Sequence, residues 1–549
     1  MTTRGKNLMA ALTLTLLPLV WLWPSVFGGK TFVPFDPAQF PPASMTLTPT
    51  ELETARADAN LDVTEVWPWL LPEMRLIQRD LGPFELSDWN PHARTGSPLH
   101  EAGVHGPLYP PHWLWRGGMR PRDSLVWIVW INLALAGLFT YGLLRHVRLP
   151  PLAAWFGAIT FQLSGVLAAN GFFWTRQPGL VWLPGMLWAL LRLADGDRLR
   201  PGALAATAVA VAMPWLAGFP PYAAAGLVLT SLLAFRLVLE RAGLEGGRAA
   251  RLLAIRLLLG LGLGLLLAMP QLLPSAWFYA FEASRTANPT LESVRAMRFD
   301  GYGLLGYLMP DAFGHPVAER ELPYALQPLT YLWCDRFDAT GKALLPNYNY
   351  TEYSVFAGTL GALLGLFGLA RGHGHMRGTV AVMLTVIFGL ALFVPVVRWL
   401  NYLPLVKNVF PMRWLGPGSL FVAWMAAIGF ARLAEVETKR VVRFALFAFA
   451  LAILAFWLCG WPLADHAADP EWPGSTIAAR YRIPTADAIA YLQDGAGGVD
   501  RFARAGERFA AAGSEAGWWL LLSGALLLLF ALIRPARARG AALGALALA

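Results

Sequence analysis

Charge is what this 549-residue chain has least of: only 14% of its residues are Asp, Glu, Lys or Arg, where a soluble globular chain carries about 25%. So few charged groups do not cover the surface of a water-soluble body of this size. Cysteine is equally scarce, since Cys334 and Cys459 are the only two, and a disulfide scaffold is excluded. Glycine shows no period of three, which excludes collagen, and the Leu-rich composition excludes a disordered chain. The sequence has no P-loop, no Gly-rich nucleotide fold and no coherent Ser/His/Asp set, so nothing supports an ATP-driven pump. What is abundant is apolar: 56% of the residues are AVILMFWYC, and the mean hydropathy is +0.47. With 24 Trp and 31 Phe, the composition is that of a polytopic membrane protein, whose aromatic rings concentrate at both bilayer interfaces.

Apolar stretches of roughly 17 to 24 residues recur, each long enough to cross ~30 Å of hydrocarbon. They predict an all-α fold of about 12 transmembrane helices at 8–27, 124–144, 150–170, 178–194, 201–217, 219–238, 251–274, 353–370, 379–397, 414–432, 441–462 and 516–533. Pro184, Pro214 and the pair Pro220-Pro221 are expected to break three of these spans. The N-terminal run, with Arg4 and Lys6 ahead of it, is longer than a signal-peptide core and lacks an A-x-A site, so it reads as a retained first span over 1–27. The spans divide the chain into helices 2–7 (124–274), helices 8–11 (353–462) and a last helix with a basic tail (516–549). Between them lie three long loops, 28–123, 275–352 and 463–515.

With both termini in the cytoplasm, twelve crossings put all three long loops outside. The charges agree. The inner side then collects 21 Lys and Arg against six Asp and Glu, and the outer side 23 against 29. That is the positive-inside pattern. The net charge of +9 is therefore a topology signal, membrane lipids are the expected surroundings, and nucleic acid drops out as a partner. A bacterial cytoplasmic membrane is the expected location.

A transporter usually has short loops and a symmetric pair of bundles. Here the first outer loop is long, and no matching repeat follows it. Residues 64–80 look like a Pro-punctuated amphipathic helix lying along the interface, with Val66, Trp69, Leu70, Met74 and Ile77 at helical spacing. The Gly/Pro/Asn-rich stretches after it read as irregular loop.

Asp62, then Trp67-Pro68-Trp69, Trp89-Asn90-Pro91, Gly96, Pro98 and Tyr109-Pro110 stand in that order in the loop. Downstream come Phe161-Gln162-Leu163-Ser164-Gly165, Pro270-Gln271-Leu272-Leu273-Pro274, Asp311-Ala312-Phe313-Gly314, Tyr353 to Gly358, and Phe410-Pro411-Met412-Arg413-Trp414. The series resembles YfhO-like membrane proteins of the GT-C class of glycosyltransferases, and it covers most of the chain to about residue 430. The third outer loop, 463–515, carries none of these motifs. The resemblance implies a membrane enzyme that takes a sugar from a polyprenyl-phosphate carrier and passes it to an acceptor on the outer side. That acceptor would be an envelope glycan, a lipid or a protein. It also implies that Asp62, in the first outer loop, is the general base, and that Trp89, Asn90, His105 and Gln271, which lie in or beside the matched motifs, bind substrate.

The chemistry leads to the same kinds of residue. Attack of a hydroxyl on an anomeric carbon needs a base for the proton and a group that stabilises the departing phosphate. A planar guanidinium binds oxyanions through two parallel hydrogen bonds. Arg176, Arg285, Arg398 and Arg413 fall near expected outer ends of spans, with Arg413 the leading candidate and Arg176 and Arg285 next. Each has a plainer reading. Asp62 also fits an N-cap with Glu65 completing a capping box, and Arg413 also fits an interfacial anchor that snorkels to headgroups. Asp36 and Asp88 are further carboxylates of the loop. His92, His100, His105 and His112 match no fixed metal spacing, so no metal site and no required cofactor are expected. The Trp clusters fit an interfacial belt first. The competing reading is a transporter or flippase for a lipid-linked or envelope precursor, which predicts charges inside the spans. The span interiors are almost free of Asp, Glu, Lys and Arg, which favours the enzyme.

Overall fold

The computed structural model describes residues 3–33, 35–56, 66–67, 69–80, 85–86, 89–93, 95–101, 103–282, 294, 297–299, 301–310, 336–337, 343–344, 350–374, 376–403, 405–459, 484–486 and 498–533. They fall into two compact units. Met1–Phe32, Glu65–Phe299 and Leu364–Arg432 form the first; Val33–Thr64, Asp300–Leu363 and Leu433–Ala549 form the second.

The architecture is all-α, as expected of Leu- and Ala-rich runs that must pair every backbone group within their own segment in hydrocarbon. The long helices are α1 (Thr3–Trp21), α2 (Leu70–Asp80), α3 (Pro121–His146), α4 (Pro151–Gln162), α5 (Gln177–Ala194), α6 (Pro201–Leu216) and α7 (Pro220–Glu245). After these come α8 (Gly247–Trp277), α9 (Thr359–Arg371), α10 (Arg377–Ala391), α11 (Leu415–Leu433), α12 (Thr438–Cys459) and α13 (Gly498–Leu532). Among the described residues, sheet is confined to hairpins of two-residue strands.

Helices overlap the expected spans but not always to their expected ends: that expected at 150–170 is interrupted after Gln162, that at 353–370 begins at Thr359, and that at 379–397 ends at Ala391. Among the described residues, seven helices are both long and apolar enough to cross a membrane: Pro121–His146, Pro151–Phe172, Pro220–Glu245, Gly247–Phe281, Pro411–Leu433, Thr438–Trp457 and Phe509–Leu532. Pro201–Leu216, Thr359–Arg371 and Arg377–Ala391 are apolar but shorter. The prolines act differently from expectation. Pro184 and Pro214 lie inside α5 and α6, which run on through them. The Pro220-Pro221 pair does not break a span but begins α7, and Pro121, Pro151 and Pro201 begin α3, α4 and α6 in the same way. At a helix start the missing N–H costs nothing, and the fixed φ is already helical.

Of the amphipathic segment expected at 64–80, residues 64, 65 and 68 lie outside the described residues, and what its helix faces is corrected. Its regular helix is α2, Leu70–Asp80. Leu70, Met74 and Ile77 turn into a protein core with Trp115, Leu125, Ile128 and Trp174, so this face meets the bundle and not the bilayer surface. Each such side chain buried contributes about 1.5–3 kcal/mol. Gln78 fastens the same helix by donating to the carbonyls of Trp115 (2.7 Å) and Met119 (2.9 Å). In the stretch expected to be irregular loop, β1 (Trp89–Asn90) pairs antiparallel with β2 (Ser97–Pro98), Trp89 opposite Pro98 and Asn90 opposite Ser97.

In the second unit α12 packs along α13 around Ala448, Ala452, Ala455 and Leu520, with Phe456 edge-on to Trp518 at 5.3 Å. A capping box closes the short helix Pro49–Arg56: the backbone N–H and hydroxyl of Thr48 both donate to the Glu51 carboxylate, at 2.8 and 2.7 Å. Those hydrogen bonds hold the Glu51 carboxyl below the ordinary carboxylate range. The spacing Thr48-x-x-Glu51 is itself the sequence signature of this cap.

Candidate functional site

Three helices of the first unit begin side by side. Tyr222, in the first turn of α7, packs between Gly179 of α5 and Gly416 of α11. A Cβ on Gly179 would lie 2.5 Å from the Tyr222 Cβ, and one on Gly416 3.2 Å from its ring, so glycine is what permits the approach. Just ahead of these helices stand Arg176, Phe219 and Arg413. Arg176 directly precedes α5, Phe219 directly precedes α7, and Arg413 sits in the 3-10 turn Pro411–Trp414 that leads into α11.

Both guanidinium groups lie against the same ring. The Arg176 Cζ is 5.2 Å from the Phe219 centroid and 3.8 Å from that of Phe173. The Arg413 Cζ is 5.3 Å from the Phe219 centroid and 4.8 Å from that of Phe410. Both arginines are half-buried. Cations stabilise helices at their C-termini, and N-termini favour anions. Two arginines at two helix starts around one aromatic ring carry the planar N–H donors that suit a phosphate or another oxyanion.

A second cluster lies in the first loop. Glu73 of α2 is 6% exposed, and both of its oxygens are engaged. His105 Nε2 donates to Oε2 at 2.7 Å, and Asn90 Nδ2 donates to Oε1 at 3.0 Å. Asn90 Oδ1 in turn accepts from the His92 backbone N–H at 2.9 Å. A carboxylate buried this deeply is tolerable only when its lone pairs are matched. Sequence reasoning missed Glu73, although it falls in the apolar stripe Leu70, Met74, Ile77 of its own helix. A charged residue in a buried stripe was the available signal.

Three further described residues of the loop, His100, Tyr109 and His112, are held by hydrogen bonds within the first unit. His100 Nε2 donates to the Pro270 carbonyl at 2.9 Å, and Gln271 Nε2 donates back to the His100 carbonyl at 2.9 Å and to Ser275 Oγ at 3.0 Å. Tyr109 donates to Asn132 Oδ1 at 2.8 Å and accepts from Trp182 Nε1 at 3.0 Å; burial pushes its phenol above the usual range. His112 donates from Nδ1 to the Gly106 carbonyl at 2.8 Å. Burial, opposed by nearby carbonyls, lowers it from 6.5 to about 4, so it is a neutral imidazole at pH 7.

The expected site residues thus separate into groups. Arg176 and Arg413 come together at Phe219. Asn90 and His105 come together at Glu73, while Gln271 joins a different part of the loop through His100. Trp89 is 55% exposed on β1. Asp62 and Arg285 lie outside the described residues, as do Glu65 and Asp88. Asp36 caps the short turn Pro37–Gln39, accepting from the Ala38 N–H at 2.8 Å. Arg398 lies over its neighbour Trp399, 5.1 Å from the ring centroid. Among the described residues no three His, Cys, Asp or Glu side chains gather where they would hold a metal ion.

No protein-family model matches the chain, and no curated protein matches it. Among solved structures the chain is similar to the arabinosyltransferase EmbB from Mycobacterium smegmatis, determined by single-particle cryo-EM. The TM-score is 0.34 and the sequence identity 15%, over 94% of this chain and 44% of that chain. The chain therefore spans less than half the length of that protein.

Proposed function

We propose that the protein is a membrane glycosyltransferase of the GT-C kind, moving a sugar from a polyprenyl-phosphate donor to an acceptor on the outer side of the cytoplasmic membrane. The acceptor is an envelope glycan, a lipid or a protein. The observation that carries this reading is the pair Arg176 and Arg413 around Phe219, at the starts of helices α5 and α11. A phosphate at the end of a lipid tail is an anion delivered at the end of membrane-crossing helices; Phe219 and Arg413 stand at the starts of two helices long and apolar enough to cross, and Arg176 lies against the same ring. The order of motifs from Asp62 to Trp414 supports the same reading.

In the proposed reaction the oxygen of an acceptor hydroxyl attacks the anomeric carbon of the donor sugar. The bond from that carbon to the phosphate oxygen breaks, and its electron pair leaves with polyprenyl phosphate. Arg413 and Arg176 offset the charge that builds on the phosphate, and Asp62 takes the hydroxyl proton. A single displacement inverts the anomeric centre. Arg285 is a further phosphate contact in this reading. Asn90, His105 and Gln271 act by holding the first loop in place, since their polar groups bond within the protein. No cofactor enters the proposed steps.

The test is turnover by the purified protein in nanodiscs, offered a panel of polyprenyl-phosphate sugars, with the wild type and Asp62→Asn side by side. Release of polyprenyl phosphate by the wild type and its loss in Asp62→Asn are expected. Equal release by both removes Asp62 from the chemistry. Movement of labelled lipid across the bilayer without release favours the transporter instead.

A further inference from the structure

The end of the first unit opposite Arg176 and Phe219 carries more positive charge than its own acids match. Helix α5 leads from Arg176 to the turn 195–200, and α6 leads back from that turn toward Phe219. Between residues 145 and 256, leaving out Arg176, ten arginines stand against four carboxylates. All four carboxylates are engaged. Asp195 Oδ2 lies 3.5 Å from His146 Nε2, and Glu240 pairs with Arg236 at 3.2 Å. Arg241 takes both Asp197 at 3.1 Å and Glu245 at 2.8 Å. Among the described residues, Arg198, Arg200, Arg248 and Arg251 have no acid partner, and all four are exposed.

Two of these arginines line a cavity. Arg256 of α8 fastens the turn by donating from Nη1 to the carbonyls of Gly196 (3.1 Å) and Arg198 (3.3 Å), and from Nη2 to that of Gly196 (3.1 Å). Gly196 reverses the chain there with φ +68°, which glycine adopts without strain. The turn opens a cavity of about 570 Å³ lined by Gly196, Asp197, Arg198, Leu199, Arg200 and Pro201. Arg200 Nη2 lies 3.6 Å from where a Cβ on Gly196 would stand, so this guanidinium folds back over the turn. Asp197 is already taken by Arg241 from α7. The charged groups that the cavity offers to a ligand are therefore the guanidinium groups of Arg198 and Arg200.

An apolar surface begins beside it. Leu199 in the turn is exposed, and on α8 Leu252, Ile255, Leu259 and Leu266 are exposed at helical spacing, with Arg248 one turn ahead of Leu252. The packed face of α8 points the other way: a Cβ on Gly260 would lie 2.8 Å from Leu193 of α5 and 3.1 Å from Thr207 of α6. A phospholipid with an anionic headgroup matches both features, its phosphate on the guanidinium forks and its acyl chains on the leucine stripe. A free phosphate or an acidic protein segment uses the arginines and leaves the stripe unused. Basic pockets between membrane helices recognise anionic headgroups by this chemistry.

We propose that the turn 195–200 binds the headgroup of an anionic phospholipid through Arg198 and Arg200, with the acyl chains along Leu252, Ile255 and Leu259 of α8. The site is separate from the proposed transfer and does not depend on it. The test is native mass spectrometry of the full chain in detergent, offered phosphatidylglycerol and phosphatidylcholine with the same acyl chains at equal concentration. The wild type should retain phosphatidylglycerol roughly fivefold or more over phosphatidylcholine. Arg198→Gln combined with Arg200→Gln should cut that preference roughly threefold or more, with phosphatidylcholine retention and the thermal midpoint unchanged. Arg440→Gln combined with Arg443→Gln removes the same charge from α12 in the second unit and should keep the preference. A phosphatidylglycerol with a diazirine on its acyl chain should label α8 within 252–266.

Equal retention of the two lipids by the wild type, or the same fall in both double variants, overturns the proposal. Absence of label from 252–266 also overturns it. Displacement of the lipid by glycerophosphoglycerol or by polyglutamate at matching concentration does so as well, by making the occupant a soluble phosphate ester or an acidic protein segment.

Discussion

Arg176 and Arg413 share one aromatic ring: their guanidinium carbons lie 5.2 and 5.3 Å from the centroid of Phe219. The two side chains come from the starts of helices α5 and α11, where the helix dipole disfavours positive charge. In the proposed function the two guanidinium groups, held beside one ring, offer parallel N–H donors to the phosphate of a lipid-linked sugar.

The approach of the three helix starts depends on glycine. Gly179→Ala adds a methyl group 2.5 Å from the Cβ of Tyr222, so α5 or α7 must shift. Overpacking of this kind costs about 1–3 kcal/mol. We expect a lower midpoint of thermal unfolding in detergent, together with weaker lipid-phosphate binding because Arg176 moves with its helix. An unchanged midpoint and unchanged binding would show that the close contact is not needed.

Glu73 holds His105 with one oxygen and Asn90 with the other. Glu73→Ala leaves both without that partner in a buried place, at a cost of about 1–3 kcal/mol for each group left unmatched. Glu73→Gln keeps the shape and one acceptor and should cost less. Limited proteolysis of the first loop reads the difference: cleavage should speed up in the order wild type, Gln, Ala. Equal rates in all three would contradict the role of Glu73 as the loop's anchor.

The pH dependence follows from His112. In the folded protein burial lowers it from 6.5 to about 4, so between those values the unfolded chain takes up a proton that the folded chain refuses. The stabilising contribution is present in full above pH 6.5 and is lost as pH falls toward 4. The shift corresponds to about 3 kcal/mol. Thermal unfolding at pH 7.5 and pH 4.5 should show a smaller fall in midpoint for His112→Asn than for the wild type. Parallel falls would exclude His112 as a source of acid sensitivity.

Much of the helical plan was legible because an apolar run long enough to cross a membrane has few alternatives. Prolines were harder to place. Pro214 and Pro220 carry the same local signal, yet one lies inside α6 and the other opens α7. Only the packing around each decides whether the missing N–H is mid-helix or at a start. The first loop hid more. Periodicity found Leu70, Met74 and Ile77, but could not say that Trp115 and Trp174, far along the chain, would cover them in place of lipid. Arg176 and Arg413 were found one at a time as suitable cations near helix ends. Their meeting at Phe219 is a tertiary fact with no local signal, and Glu73 was overlooked because a lone carboxylate on an amphipathic helix is usually solvated.

The central claim is that the Arg176 and Arg413 pair holds a lipid-linked phosphate, and competition between two lipids tests it most directly. Native mass spectrometry of the purified protein would compare polyprenyl phosphate with the polyprenol of the same length. Charge-assisted hydrogen bonds of about 1.5–3 kcal/mol each correspond to roughly 10- to 100-fold in affinity. The wild type should therefore prefer the phosphate by at least tenfold. Arg176→Ala and Arg413→Ala should each reduce that preference, and the double variant should abolish it while still binding the polyprenol. Equal binding of the two lipids by the wild type, or an undiminished preference in the double variant, would contradict the account.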